Sequence, residues 1–143
     1  MNKLHKAGFI NIIGKPNVGK STLMNALVGE KLSIITSKVQ TTRHRILGIV
    51  NGDNFQIIFS DTPGIIKPRY ELQSLMMKSI SSAFDDADII IFIVSAIDEE
   101  PIDPELLKKL IKLKLPIVLL INKIDLSNQK NIETFVEFWK SLI

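Results

Sequence analysis

The 143-residue sequence contains no cysteine. Disulfide bridges and thiolate metal sites are therefore excluded, and the composition fits a reducing, cytoplasmic compartment. Histidine is nearly as scarce: His5 and His44 are too few and too far apart to build a metal cluster. Long apolar runs are missing too. The longest, 89–94, falls far short of the ~20 residues that a membrane-spanning helix needs. Asn11, Gly14 and Lys15 interrupt the apolar stretch that follows Lys3 and Lys6, so the beginning of the chain does not read as a secretory signal.

The length is that of one domain, and 45% hydrophobic residues suffice for a full core without covalent staples. A net charge of +3 hides an asymmetry. Residues 1–70 hold ten Lys/Arg against three Asp/Glu, while residues 71–143 hold eight against twelve. A basic first half suggests a phosphate-bearing ligand or partner; ordinary surface charge is the competing reading.

Apolar runs alternate with helical patterns. Residues 9–13 form a strand candidate, followed by a glycine-containing loop and a helix over 21–28 that Gly29 is placed to stop. Runs 46–50 and 55–59 flank Asn51-Gly52-Asp53-Asn54, a strong hairpin signal. A helix is expected over 70–84, in which Met76, Met77, Ile80 and Phe84 read as core. Residues 89–94 and 117–121 read as buried parallel strands. Asp103 caps a helix with Pro104 at its first position, running to about Lys114 before Pro116 breaks it. The last segment places Ile132, Phe135, Val136, Trp139, Leu142 and Ile143 on one helical face. This order predicts a three-layer α/β/α fold, its sheet mostly parallel with one antiparallel edge strand. A sheet of this kind usually ends on a strand, so a last strand and any further domain are expected outside these residues.

Gly14-Lys15-Pro16-Asn17-Val18-Gly19-Lys20-Ser21 matches G-x-x-x-x-G-K-[ST] between a strand and a helix, the context that the motif requires. Its glycines let the backbone fold around a diphosphate, and the loop N–H groups and the helix start, through Thr22, then face the phosphates. Lys20 is placed to reach the β- and γ-phosphates and Ser21 to hold Mg²⁺. A chance match in a chain this long has a probability of roughly 0.005, which disfavours a mere glycine turn with a surface lysine. Asp61-Thr62-Pro63-Gly64 is weak alone. At the end of the third strand, 40 residues after Ser21, it becomes a candidate for the Mg²⁺ shell (Asp61) and for a γ-phosphate sensor (Gly64). Asn122-Lys123-Ile124-Asp125 follows a buried strand. The Asp125 carboxylate can accept from guanine N1–H and its exocyclic amine, and adenine, offering no such pair, would leave a buried carboxylate unpaired. The Lys123 stem can lie along the base or the phosphate loop.

These three motifs resemble those of the small GTPase superfamily, which implies that the α/β/α fold is of the P-loop NTPase type. The resemblance implies a GTP-binding, GTP-hydrolysing switch whose loops are ordered by the γ-phosphate. Gln40-Thr41-Thr42-Arg43-His44-Arg45 looks like the switch I segment of bacterial ribosome-assembly GTPases rather than that of the MnmE/Der group. By resemblance Thr42, with Thr41 as alternative, is the switch I Mg²⁺ ligand. Ile65 stands where Ras-like enzymes carry a water-orienting Gln, which implies slow intrinsic turnover. Relatives with that substitution use K⁺ held by a phosphate-loop Asn; Asn17 stands there, with a plain loop turn as its competing role. The resemblance also implies action on the 30S subunit and 16S rRNA, contacted in the whole protein by a KH domain outside these residues, and peripheral membrane association. Arg43, His44, Arg45, Lys67 and Arg69 form a candidate RNA-facing or ordinary solvated basic surface. The family's Ser-Ala-[Lys/Leu] base loop is not found after Asn122. A guanine-nucleotide sensor with negligible hydrolysis and a P-loop ATPase or kinase are the competing classes.

Overall fold

The computed structural model describes residues 4–30, 33, 42, 44–65, 71–98 and 103–142. Five strands, β1 (Lys6–Ile13), β2 (Ile46–Asn51), β3 (Phe55–Asp61), β4 (Ile89–Ser95) and β5 (Ile117–Asn122), join in the order β2-β3-β1-β4-β5. All pairings are parallel except β2 with β3. The helices are α1 (Lys20–Val28), α2 (Glu71–Asp85), α3 (Pro104–Lys112) and α4 (Gln129–Lys140). The expected element order and the antiparallel edge hairpin are therefore present.

Strand alternation divides the apolar residues between two layers of core. Ile12, Phe59 and Ile93 point to one side and meet Val18 and Met24, the latter from α1. Ile13, Ile90, Phe92 and Val94 point to the other and meet Leu106 and Leu110 of α3 and Trp139 of α4. Continuous apolar runs suit strands covered on both faces. Ile80 of α2 is buried, as the core reading of that helix requires, and Phe84 packs against the second layer. The Met76 side chain and Ile143 lie outside what is described.

Local chemistry sets the ends of the elements. The Asp103 side chain accepts from the Glu105 N–H at 2.9 Å with Pro104 in the first turn. Asn128 caps α4 in the same way through Asn131 N–H. Gly29 closes α1 in a left-handed conformation at φ 80°. Several boundaries differ from expectation by one to three residues, and two of them have a clear physical cause. The first strand begins at Lys6 rather than Phe9, because Lys6, Ala7 and Gly8 pair with Phe55, Gln56 and Ile57, and backbone pairing carries no apolar signature. α3 stops at Lys112 rather than Lys114: Leu113 is already extended (ψ 126°), and Leu115 precedes a proline, which disfavours helix.

Arg45 leaves the expected basic surface and turns inward. Its Nε donates to Ser60 Oγ at 2.5 Å, Nη1 to Asp86 Oδ2 at 2.6 Å, and Nη2 to Asp86 Oδ1 at 2.9 Å and Asn11 Oδ1 at 3.1 Å. Asn11, fully buried, donates in turn to Asp86 Oδ1 and to the Ala83 carbonyl. One planar fork thus ties the start of β2 to β3, β1 and the end of α2, and lysine cannot reproduce that geometry. His44 is exposed; Arg43, Lys67 and Arg69 lie outside the described residues. Arg45→Ala is expected to lower stability by about 1–2 kcal/mol, with Arg45→Lys recovering less than half of it, read by thermal unfolding. The Arg45 guanidinium also holds Asp86 below its ordinary 3.8. The Asp86 contribution is therefore present above pH 3.8 and is lost as pH falls through the depressed folded value, so the gap between wild type and Arg45→Ala narrows in acid.

Candidate functional site

The parallel registers bring the C-terminal ends of four strands to one rim of the sheet. Ile12 lies beside Asp61, Ile13 beside Phe92, and Ser95 beside Asn122. Each strand hands its chain there to a loop, and all three sequence motifs occupy those loops. Ligand sites of open α/β sheets form at this rim.

The phosphate loop runs from Gly14 to the first turn of α1. Asn17 (φ 60°) and Gly19 (φ 105°) are both left-handed, which bends the backbone into a concave arc. Gly19 is required twice over: a Cβ on it would lie 2.3 Å from Asn122 Nδ2. That amide donates to the Val18 carbonyl at 2.8 Å, so the third motif braces the first. Lys20 is 6% exposed and its Nζ donates to the Lys15 carbonyl at 2.6 Å, lying across the mouth of the arc. Burial pulls the ammonium down from 10.5 to about 8, opposed by the charge of Asp61. Lys15 pairs with Asp98 at 3.1 Å, outside the arc. Thr22 is exposed on the first turn of α1.

Ser21, Thr42 and Asp61 converge, as the sequence predicts for a metal site. Ser21 Oγ donates to Asp61 Oδ2 at 2.6 Å and lies 3.1 Å from Thr42 Oγ1. Thr41 is outside the described residues. Asp61 has no exposed surface, and burial raises its pKa, against opposing effects first of Ser21, then Ser33, Lys20 and Thr42. Its Oδ1 is buried without a hydrogen-bond partner. One carboxylate with two hydroxyls, open to phosphate oxygens, is a donor set suited to Mg²⁺. No group of three or more His, Asp or Glu side chains positioned for a metal occurs among the described residues. The three side chains leave coordination positions that phosphate oxygens or water can fill.

Thr62 and Gly64 fix the second loop. Thr62 Oγ1 donates to the Ile12 carbonyl at 2.8 Å, and Ile65 N–H to the Gly14 carbonyl at 3.0 Å. A Cβ on Gly64 would lie 2.6 Å from the Pro16 backbone, so only glycine permits this approach. Ile65 packs on the Ile13–Phe92 side of the core and carries no group that could orient water. Beyond β5, Lys123 is left-handed (φ 57°) and starts a single 3-10 turn, Ile124–Leu126. Asp125 stands on that turn and is exposed. Desolvation of its carboxylate can come only from an arriving base. Three contributors carried no sequence signal: the Asn122 brace, the Lys15–Asp98 pair, and Ser33.

The model of the 50S ribosome-binding GTPase family matches residues 9–123. A GTPase Era of Clostridium botulinum (strain Langeland) is 42% identical over 142 residues, 98% of this chain and 48% of that protein. The Alaska E43 strain's GTPase Era is 44% identical over 140 residues, 96% and 47% of the two chains. The chain thus spans about half the length of the curated relatives it matches. The solved structure of Era in complex with MgGDPNP and nucleotides 1506–1542 of 16S ribosomal RNA superimposes with a TM-score of 0.87 at 42% identity, over 96% of this chain and 47% of that one. An Aquifex aeolicus Era variant bound to GDP·AlF4⁻ gives 0.86 at 42% identity, over 95% and 47%. Elongation factor SelB of Methanococcus maripaludis, 23% identical, shares the fold at 0.73 over 97% of this chain and 27% of that one.

Proposed function

The chain belongs to the 50S ribosome-binding GTPase family, and from that premise we propose that residues 1–143 are an Era-type G domain that binds GTP and GDP and hydrolyses GTP as a two-state switch. The observation that carries the reading is the meeting of Lys20, Ser21, Thr42 and Asp61 beside the left-handed phosphate loop. The backbone of Gly14 to Thr22, with Lys15, Pro16, Asn17, Val18 and Gly19 between, cradles the phosphates, and Lys20 neutralises the β- and γ-oxygens. Ser21, Thr42 and Asp61 hold Mg²⁺. When bound, the ion neutralises charge on the phosphate oxygens. Thr62 and Pro63 set the loop so that Gly64 N–H can meet a γ-phosphate. Asn122 fixes the base loop to the phosphate loop, Lys123 flanks the base and Asp125 selects guanine.

Ile65 leaves the attacking water without a carboxamide, so intrinsic hydrolysis is slow, and Asn17 is the residue offered to an activating K⁺. The same Ile65 favours the second reading, a guanine-nucleotide sensor with negligible turnover in these residues alone. The Era likeness, with its 16S rRNA complex, supports a role of the whole protein in 30S assembly and 16S rRNA processing; we place that role in the cytoplasm with peripheral membrane contact. No helix among the described residues is long and apolar enough to cross a membrane. Titration with fluorescent GDP and Mg²⁺, competed by GTP, ADP and ATP, tests the binding: displacement by guanine nucleotides only is expected, and equal displacement by ADP would refute it. For the whole protein, single-turnover hydrolysis should accelerate when Na⁺ is replaced by K⁺. An unchanged rate removes Asn17 from that role.

A further inference from the structure

The geometry points to Arg45 as a positioning residue that keeps Thr42 beside Ser21 and Asp61, and so favours the triphosphate over the diphosphate. This rests on the reading of Thr42 as a Mg²⁺ ligand. β2 is the last strand of the sheet and pairs with β3 alone. Their ladder stops at the rim, where Ile46 lies opposite Asp61. Backbone bonds to a single neighbour hold such an end, and ends of this kind open most readily. Thr42 stands four residues before Ile46, its hydroxyl 3.1 Å from Ser21 Oγ. Two of the three side chains assigned to the cation therefore sit at or just past the weak end of an edge strand.

Arg45 is the first residue outside the ladder, and its fork secures that end from the side. Nε donates to Ser60, the residue before Asp61, at 2.5 Å. Nη1 and Nη2 reach Asp86, just past α2, and Nη2 also reaches Asn11 in β1. Ser60 and Asn11 have no exposed surface, so these two anchors are fixed by the core. Charge-assisted bonds at a side chain only 19% exposed outweigh an ordinary surface pair. A diphosphate is held by the phosphate loop, Lys20, Ser21 and Asp125, none of which bonds to Arg45. A triphosphate also requires Thr42 drawn in on the cation, an ordering of the switch. Affinity falls with the fraction of molecules already in the competent arrangement. Loss of the fork therefore penalises the triphosphate and spares the diphosphate.

The test compares the affinities of the whole protein for the non-hydrolysable analogue GDPNP and for GDP, with Mg²⁺, at a temperature where every variant is folded. Arg45→Ala should weaken GDPNP about tenfold and leave GDP within about twofold of wild type. Asp86→Ala removes only the remote end of the fork, at a half-exposed side chain, and should weaken GDPNP about threefold with GDP again unmoved. Thr42→Ala should lower the GDPNP preference by itself, and adding Arg45→Ala to it should lower that preference no further. Equal weakening of both nucleotides by Arg45→Ala marks a general structural role and overturns the inference. So does an unmoved preference in Arg45→Ala where Thr42→Ala lowers it, or a further loss in the double variant. A preference unmoved in Thr42→Ala sinks the reading of Thr42 and this inference with it.

Discussion

Asp125→Asn is expected to reverse base selection: GDP affinity falls about a thousandfold while affinity for the xanthine nucleotide XDP rises above it. The argument is one of donors and acceptors. Guanine presents two adjacent donors, N1–H and the exocyclic amine, and the Asp125 carboxylate offers two acceptors. An amide keeps one acceptor and substitutes a donor for the other, which now faces the guanine amine donor to donor. Xanthine carries a carbonyl at that position and restores the match. Two charge-assisted bonds at roughly 1.5–3 kcal/mol each set the size of the loss. Because Asp125 is exposed on the 124–126 turn and makes no core contact, the unfolding midpoint should not move. Competition of XDP and GDP against a fluorescent guanine nucleotide reads the result. GDP preference retained in the variant would remove Asp125 from base recognition.

That exposure also marks where sequence reading ended. The element order was legible because buried strands and capped helices write themselves as apolar runs, Asp-Pro starts and Gly stops, as at Asp103-Pro104 and Gly29. The phosphate loop was legible because its chemistry is contiguous. Contacts between distant residues left no trace. Arg45 reads as one more cation beside a switch, yet its fork closes on residues 15, 34 and 41 positions away in sequence. The Asn122 brace spans 104 residues. The Asn25–Ser33 hydrogen bond spans only eight but has neither helical nor strand period. Strand pairing extended β1 backward through Lys6 and Ala7, whose side chains give no strand signal. Motifs picked out residues that meet at the rim, and packing decided how each is held.

Lys20→Met should make the ligand-free protein more stable and the nucleotide-bound state inaccessible. In wild type the ammonium is 6% exposed and donates a hydrogen bond to the Lys15 carbonyl. Its descent from 10.5 to about 8 corresponds to roughly 3 kcal/mol of disfavoured charge, net of the help from Asp61. Methionine fills a similar volume without a charge. Loss of the cation leaves Asp61 less supported and offsets part of the gain, so a rise of a few degrees in the unfolding midpoint is expected at pH 7. The pH dependence has a definite sign. Because the folded value lies below the unfolded one, the wild-type penalty is complete below pH 8 and disappears between pH 8 and 10.5. The advantage of the variant should shrink over that window. Nucleotide reverses the order: a phosphate supplies the negative charge that the buried ammonium lacks, and its removal should weaken GDP by at least about a hundredfold. With GDP well above the wild-type Kd, linkage stabilises only the wild type, by about 2.7 kcal/mol at a hundredfold excess. Crossing of the two unfolding curves as GDP is added would identify Lys20 as a residue whose folding penalty is repaid by ligand; parallel curves would assign it to structure alone.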